Sequence, residues 1–301
     1  MNALEVEHLS VTFRISGRDI TPVRDVSFTV PEHGRVALVG ESGCGKSLTA
    51  LSVRRLQPVD RARLGGRIAA PGRVAYIFQN PMDALNPVMR IGAQIMEAMP
   101  RTSRSRREMK AEVVSLLERV AIPEPERTAR AYPCELSGGQ QQRAMIAMAL
   151  AARPDLMICD EPTTALDVTT QRQVLELIDS LASETGMAVL FITHNLGLVA
   201  KWMDWVNVLY AGEVVESGPV EEVLSSPRHP YTKGLLAAVP QLDAPLGAPL
   251  KDIPGTVPPP TAWPSGCAFH PRCPDATDAC RERRPAAVRT GSRLVTCLNA
   301  N

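Results

Sequence analysis

The chain has 301 residues, 33 Lys plus Arg against 32 Asp plus Glu, a net charge of +1 and 45% hydrophobic residues. This is the make-up of a soluble globular protein with one large domain plus a smaller one, or two modest domains, and its balanced charge speaks against bulk nucleic-acid binding. No apolar run approaches the roughly 20 residues needed to span a bilayer, and Met1–Glu5 lacks the basic-then-apolar order of a secretion signal. A cytosolic chain is therefore expected, in which the seven cysteines are not paired in structural disulfides.

The first 38 residues read as strands: Leu9, Val11 and Phe13 alternate, as do Val26, Phe28 and Val30, with turns at Ser16-Gly17 and Pro31–Gly34. Val36–Val39 predicts a buried strand that runs into a Gly-rich loop and then a helix. Residues 57–75 are rich in Gly, Arg and Pro, and Val74–Phe78 predicts another strand ending at Gln79. From 80 to 131 the texture is helical and broken by prolines, with Met109, Val113, Leu116 and Val120 on one face. The basic run Arg101–Arg107 reads as a solvated loop and helix start.

Leu136–Gln140 is a small turn opening onto a helix whose apolar positions are Met145, Met148, Ala149 and Ala152. Leu156–Cys159 predicts a buried strand that delivers Asp160 and Glu161 at its C-terminal end, and Ala165-Leu166-Asp167 is a turn beyond it. An amphipathic helix follows (Val174, Leu177, Ile178, Leu181), stopped by Gly186, then a strand Ala188–Thr193 that delivers His194. Val206–Ser217 reads as a hairpin turning at Ala211-Gly212. This alternation implies a largely parallel sheet covered by helices on both faces. Residues 240–264 read as a Pro-rich extended linker, and 265–301 as a Cys-rich segment too poor in apolar residues to fold without a cross-link or metal.

Gly40-Glu41-Ser42-Gly43-Cys44-Gly45-Lys46-Ser47 has the spacing of a phosphate-binding loop, in the strand-to-helix context that the motif requires. Its glycines let backbone N–H groups curl round phosphates, Lys46 is placed for the β- and γ-phosphates, and the Ser47 hydroxyl for Mg²⁺. A carboxylate ending an apolar strand is a poor structural choice but a natural Mg²⁺ ligand, which picks out Asp160. Glu161 beside it is the candidate base that polarises an attacking water. Ser137, Gly138, Gly139 and Gln140 sit at a helix start, where free N–H groups and the dipole favour an anion.

Taken together these stretches resemble the nucleotide-binding subunits of ATP-binding-cassette (ABC) transporters, with Leu136–Gln140 matching that family's signature. The resemblance implies an α/β fold of the phosphate-loop NTPase class: a parallel core sheet, an N-terminal antiparallel β-subdomain, a helical subdomain at about 80–150, and a small Cys-rich C-terminal extension. It implies a nucleotide-binding domain over 1–239, ATP hydrolysis with Mg²⁺, and a head-to-tail pair with a second ATPase subunit, either a homologue or another copy. In that pair Asp160 and Glu161 act on the nucleotide held by the same chain's Lys46 and Ser47, whereas Ser137–Gln140 cover the partner's. By the same resemblance Gln79 senses Mg²⁺ and water and relays to membrane subunits, Asp167 lies at the dimer seam and His194 contacts the γ-phosphate. Phe13 is the candidate for stacking on adenine, with a buried strand residue as the other reading.

Asn80–Pro87, Tyr132-Pro133, Ala147–Leu150, Pro162–Val168 and His229–Thr232 narrow the resemblance to the ATPases of dipeptide and oligopeptide (and nickel) importers, over about residues 4–298. That implies two transmembrane permease subunits, indirectly an extracytoplasmic peptide-binding protein, and a peripheral place on the cytoplasmic face of the inner membrane. Importers of nickel, metallophores or oligosaccharides, and soluble ABC ATPases outside transport, share the same phosphate-site residues. Four thiols in a short cytosolic segment, Cys267, Cys273, Cys280 and Cys297, favour a metal group over disulfides. Similar C-terminal segments in this branch are implied to hold a 4Fe–4S cluster; the spacings are wider than those of structural zinc, which stays an alternative beside unligated thiols.

Three departures from the branch stand out. The 31 residues between Ser47 and Gln79 (48–78) are few, so the β-subdomain is shortened. Asn195 follows His194 where the family has Asp, and Gln141-Gln142 leans toward the second of the two ATPase paralogues.

Overall fold

The computed structural model describes residues 1–57, 62–100, 104–164, 166–239 and 252–300. Part of the basic run (101–103), part of the linker (240–251) and Ala165 of the turn before Asp167 lie outside the described residues. In chain order the elements are β1 (Asn2–Ile15), β2 (Arg18–Pro31), β3 (Arg35–Val39), α1 (Lys46–Val53), β4 (Arg63–Ala69), β5 (Val74–Ile77), α2 (Pro81–Ala84), α3 (Ile91–Ala98) and α4 (Arg106–Arg119). Then come α5 (Pro125–Arg130), α6 (Gly138–Ala151), β6 (Leu156–Asp160), α7 (Val168–Thr185), β7 (Ala188–Thr193), α8 (Leu196–Trp202), β8 (Trp205–Tyr210) and β9 (Glu213–Pro219). The chain closes with α9 (Val220–Ser225), α10 (Pro230–Ala237), α11 (Asp278–Glu282), β10 (Val288–Thr290) and β11 (Arg293–Val295).

Two bodies form. One comprises Met1, Pro31–Gly34 and Ala70–Phe191. Within it β6 lies between β5 and β7, and β5 and β6 run parallel with Val74 opposite Leu156 and Ile77 opposite Cys159. Every residue of β6 is buried, as a continuous apolar run in a parallel sheet requires. Helices α2–α6 make up the helical part, and α4 starts on a capping box in which the Ser105 hydroxyl accepts from the Glu108 N–H while the Glu108 carboxylate accepts from the Ser105 N–H. α6 is buried on most of its circumference, Gln141 and Gln142 included, because α2, α3, α4 and β5 pack around it. Its apolar stripe in sequence therefore understates its burial.

The other body comprises Asn2–Val30, Arg35–Ala69 and Ile192–Asn301. Its strands lie in the order β4, β1, β2, β9, β8, β3, with β4 antiparallel to β1, β8 antiparallel to β9 and β3 parallel to β8. The Cys-rich segment joins this body: β11 adds antiparallel to β9 with Val295 opposite Glu216, and the Thr296 N–H donates to Val215 O at 2.9 Å. Arg293 forms a buried ion pair with Glu216. Upstream of it, Trp263 donates its indole N–H to Thr21 O at 3.1 Å and carries the Arg24 guanidinium over its ring.

Candidate active site

The phosphate loop hangs between β3 and α1. β3 is apolar and fully buried over Val36–Val39, so it ends rigidly at Gly40. Gly40 has φ 152, and a Cβ there would stand 2.3 Å from Leu209 O, so only glycine fits. Gly45 has φ 95 and caps α1 from the left-handed region, turning the chain from loop to helix in one residue. Lys46 is 5% exposed, and its ammonium donates to Gly40 O at 2.8 Å and Glu41 O at 2.9 Å, which holds it across the loop's opening residues. The Cys44 thiol is buried, which pushes its pKa up, and it makes a 3.9 Å contact with the Tyr231 hydroxyl.

Glu41 is gripped from two sides. Its N–H donates to the Tyr231 hydroxyl at 2.8 Å, and its carboxylate accepts a two-pronged contact from Arg272 at 2.7 and 2.9 Å. His194 follows β7 and is exposed. Asn195 next to it caps α8, its Oδ1 accepting from the Gly197 N–H at 3.0 Å, a role that Asn fills as well as Asp. Phe13 is 8% exposed in β1; this burial favours a strand core residue over a ring offered to a base.

The carboxylates lie in the other body. Asp160 ends β6 at 6% exposure, and its Oδ2 accepts from the Tyr76 hydroxyl at 2.8 Å. Burial and the neighbouring Asp160 charge raise the Tyr76 pKa, so the phenol stays a donor. Glu161 has φ 44, a left-handed backbone that costs a non-glycine residue about 1–2 kcal/mol. Its Oε2 accepts from Gln79 Nε2 at 3.3 Å and from the Thr164 hydroxyl at 3.0 Å. Gln79, Asp160 and Glu161 are thus brought together around the ends of β5 and β6, with strain stored at Glu161.

In the signature turn Ser137 caps α6: its hydroxyl accepts from the Gln140 N–H at 3.3 Å and Gln140 Oε1 accepts from the Ser137 N–H at 3.0 Å. The first two helical N–H groups belong to Gly138 and Gly139, which have no side chain to cover them. Gln141 Nε2 ties the preceding turn down by donating to Pro133 O at 2.9 Å and Leu136 O at 3.2 Å. Asp167 caps α7, its Oδ1 accepting from the Thr169 and Thr170 N–H groups and its Oδ2 from the Thr170 hydroxyl at 2.7 Å. These bonds, the Thr170 hydroxyl first, hold its pKa down. Gln94, unremarked in sequence, clamps the loop after Gln79 by accepting from the Asn86 N–H and donating to Asn86 O and Met89 O.

Hydroxyl and carboxylate oxygens such as those of Ser47 and Asp160 are the hard donors Mg²⁺ prefers. The C-terminal thiols are softer. Cys267 is raised by burial and then by Cys280 and Cys297, Cys273 to about 11 by burial and then by the charges around it, Cys267 and Cys297 among them. Asn299 donates to two of the thiols, N–H to Cys297 Sγ at 3.4 Å and Nδ2 to Cys280 Sγ at 3.7 Å. The donor set suits a thiolate-bound metal group. Among the described residues, however, no three His, Cys, Asp or Glu side chains are arranged as a metal site.

Comparison with known proteins settles the family. Residues 23–164 match the ABC transporter family profile, and residues 215–280 match that of the oligopeptide/dipeptide transporter C-terminal region. A protein of Brucella abortus (strain 2308), provisionally named a peptide import ATP-binding protein, is 44% identical over 98% of this chain and 94% of its own. The chain belongs to the ABC transporter family. A Brucella ovis protein with the same provisional description is 49% identical over 94% of this ABC protein and 92% of its own length. Among solved structures, a dimeric ATP-binding cassette bound to ADP and Pi matches with TM-score 0.64 and 24% identity, covering 72% of this chain and 98% of that one. CbiO1 of Clostridium perfringens, part of an ABC transporter complex, matches with TM-score 0.62 and 23% identity, covering 75% of this chain and 91% of that one. At these identities the structures establish the fold: this is an α/β ABC ATPase. As a member of that family it hydrolyses ATP, with Mg²⁺ as the metal that such ATPases use.

Proposed function

We propose that this ABC ATPase powers import of dipeptides or oligopeptides through a pair of membrane permease subunits. The observation that carries this reading is the match of residues 215–280 to the oligopeptide/dipeptide transporter C-terminal region, in a chain whose relatives match it nearly end to end. Among the described residues no helix is long and apolar enough to cross a membrane, which is consistent with a peripheral subunit at the cytoplasmic face. The loop after Gln79 is the proposed contact with the permeases. It presents Met82 at 49% and Val88 at 79% exposure, apolar side chains in water unless a partner covers them.

In the proposed cycle the loop from Gly40 to Gly45 cradles the phosphates with backbone N–H groups, and Lys46 neutralises their oxygens. Ser47 and Asp160, with Gln79, would hold Mg²⁺, which supplies positive charge against the developing negative charge of phosphoryl transfer. Glu161 takes a proton from the attacking water, and His194 orients at the γ-phosphate. Ser137–Gln140 and Asp167 serve the nucleotide of a second ATPase subunit across a dimer seam. Phe13 remains the proposed adenine-side aromatic only if β1 opens there. Cys267, Cys273, Cys280 and Cys297 are the proposed ligands of a 4Fe–4S cluster, with Zn²⁺ the alternative, and no step of hydrolysis passes through them. The domain scheme proposed is a nucleotide-binding domain over 1–239, a linker over 240–264 and a Cys-rich segment over 265–301.

The test is uptake of a labelled dipeptide or oligopeptide by the producing bacterium. Deletion of the gene should abolish uptake, wild-type protein should restore it, and Glu161→Gln should not. Undiminished uptake of both classes in the deletion strain rejects the peptide assignment.

A further inference from the structure

The phosphate loop contains an anion of its own. Glu41 lies one residue after Gly40 and five before Lys46, among backbone groups suited to bind negative phosphates. A bare carboxylate there would repel an incoming polyphosphate and compete for the Lys46 charge.

The Cys-rich segment answers that charge. Arg272, in the turn between Cys267 and Cys273, has a side chain only 4% exposed. Its Nη1 donates to Glu41 Oε2 at 2.7 Å and its Nη2 to Glu41 Oε1 at 2.9 Å, a fork on a fork. The remaining donors are used as well: Nε bonds Pro254 O at 2.8 Å, Nη2 reaches Ile253 O at 3.1 Å and Gly255 O at 3.3 Å, and Nη1 contacts the Tyr210 hydroxyl at 3.5 Å. The guanidinium is thus locked in one orientation before it meets Glu41, as bidentate recognition needs. The same segment reaches Glu41 a second way. Phe269 packs on Tyr231 with ring centroids 5.4 Å apart, and the Tyr231 hydroxyl accepts the Glu41 N–H.

We propose that Arg272 is a positioning residue for nucleotide binding: it neutralises and orients the Glu41 carboxylate, so that the C-terminal segment sets the affinity of the phosphate loop for ATP. Arg272 acts through Glu41 and touches no reacting atom. Any change that shifts the turn bearing Arg272 then alters ATP affinity through one ion pair. The inference rests on reading residues 40–47 as the ATP site.

The experiment is steady-state ATPase kinetics on the full chain in its assembled complex, comparing wild type, Arg272→Met, Glu41→Gln and the double variant. Arg272→Met should raise KM for MgATP about tenfold or more, as an uncompensated charge beside an anion site requires, with kcat changed less than about threefold. In the double variant, with no carboxylate left to expose, KM should fall back to within about threefold of Glu41→Gln alone. A merely structural arginine would give additive damage instead. An unchanged KM in Arg272→Met, or a double variant at least as impaired as Arg272→Met, overturns the proposal. Where Arg272→Met does not yield folded protein, Arg272→Lys carries the same cycle, because an ammonium cannot reproduce the fork: a raised KM relieved by Glu41→Gln supports the proposal and an unchanged KM rejects it. Lys46→Ala reports separately on the loop, since undiminished nucleotide binding in that variant refutes the ATP-site reading rather than the role of Arg272.

Discussion

The Tyr76 hydroxyl donates to Asp160 Oδ2 at 2.8 Å, joining the side chains of two parallel strands, β5 and β6. Asp160 is buried and charged, and a hydrogen bond to a charged group contributes about 1.5–3 kcal/mol. The phenol therefore fixes which carboxylate oxygen is turned toward its neighbour and which way the other points. Tyr76→Phe removes one oxygen and keeps the ring that packs on Phe78. The Mg²⁺ concentration giving half-maximal ATPase activity should rise about three- to tenfold, the equivalent of roughly 0.7–1.4 kcal/mol. An unchanged Mg²⁺ titration would show that Tyr76 does not orient a metal ligand.

Glu161 accepts from Gln79 and Thr164 on one oxygen, from a backbone held at positive φ. Replacing this proposed base by its amide keeps shape and hydrogen-bonding capacity and would remove proton abstraction. Glu161→Gln should bind ATP as tightly as wild type while turnover drops at least about a hundredfold. Filter-binding and phosphate-release assays on the same preparation separate the two.

His229 is buried and caps α10, its Nδ1 accepting from the Tyr231 N–H at 3.0 Å. Burial, with the Lys233 charge adding to it, lowers its pKa from 6.5 to about 3. The unfolded chain therefore takes up a proton on this ring below about pH 6.5 that the folded chain refuses. The stability this neutral histidine contributes is complete above that pH and is lost as pH falls from there toward about 3. His229→Asn keeps a capping acceptor and cannot titrate. Urea denaturation at pH 7 and pH 5.5 should show wild type losing about 1 kcal/mol more than the variant between the two conditions.

The thiols of Cys280 and Cys297 both receive N–H donors from Asn299. Protein purified without air should be brown and carry about four iron atoms and acid-labile sulfide per chain. Cys280→Ser should lose most of that iron. Elemental analysis giving zinc alone would reject the cluster.

Much of this architecture is readable along the chain because its signals are local. The run Val36–Val39 into Gly40, the strand that delivers Asp160 and Glu161, and the strand Ala188–Thr193 before His194 each occupy a handful of consecutive residues. The supports are invisible for the opposite reason. Tyr76 and Asp160 are 84 residues apart, and Arg272 and Glu41 are 231 apart. Nothing in the spacing of either pair marks them as partners, since both depend on how strands and turns assemble. Phe13 shows the ambiguity of a single aromatic in a strand: its alternation with Leu9 and Val11 predicts burial as well as it predicts a base-stacking ring, and its low exposure fits burial. α6 shows a further limit, since helical periodicity identifies one apolar face and cannot tell that neighbours cover the others.

The anchoring of Trp263 on Thr21, with β11 paired to β9, bears on how the molecule is made. Contacts 242 residues apart cannot close until residue 263 has left the ribosome. At synthesis rates of about 5–20 residues per second, β1 and β2 wait roughly 12–50 seconds for that clasp. Until β9 emerges to pair with β2, Glu213 opposite Asp25, their hairpin must stay unaggregated with one edge of its future sheet uncovered. A premature stop upstream of residue 263 would therefore release a chain whose beginning, as well as its end, is unfinished.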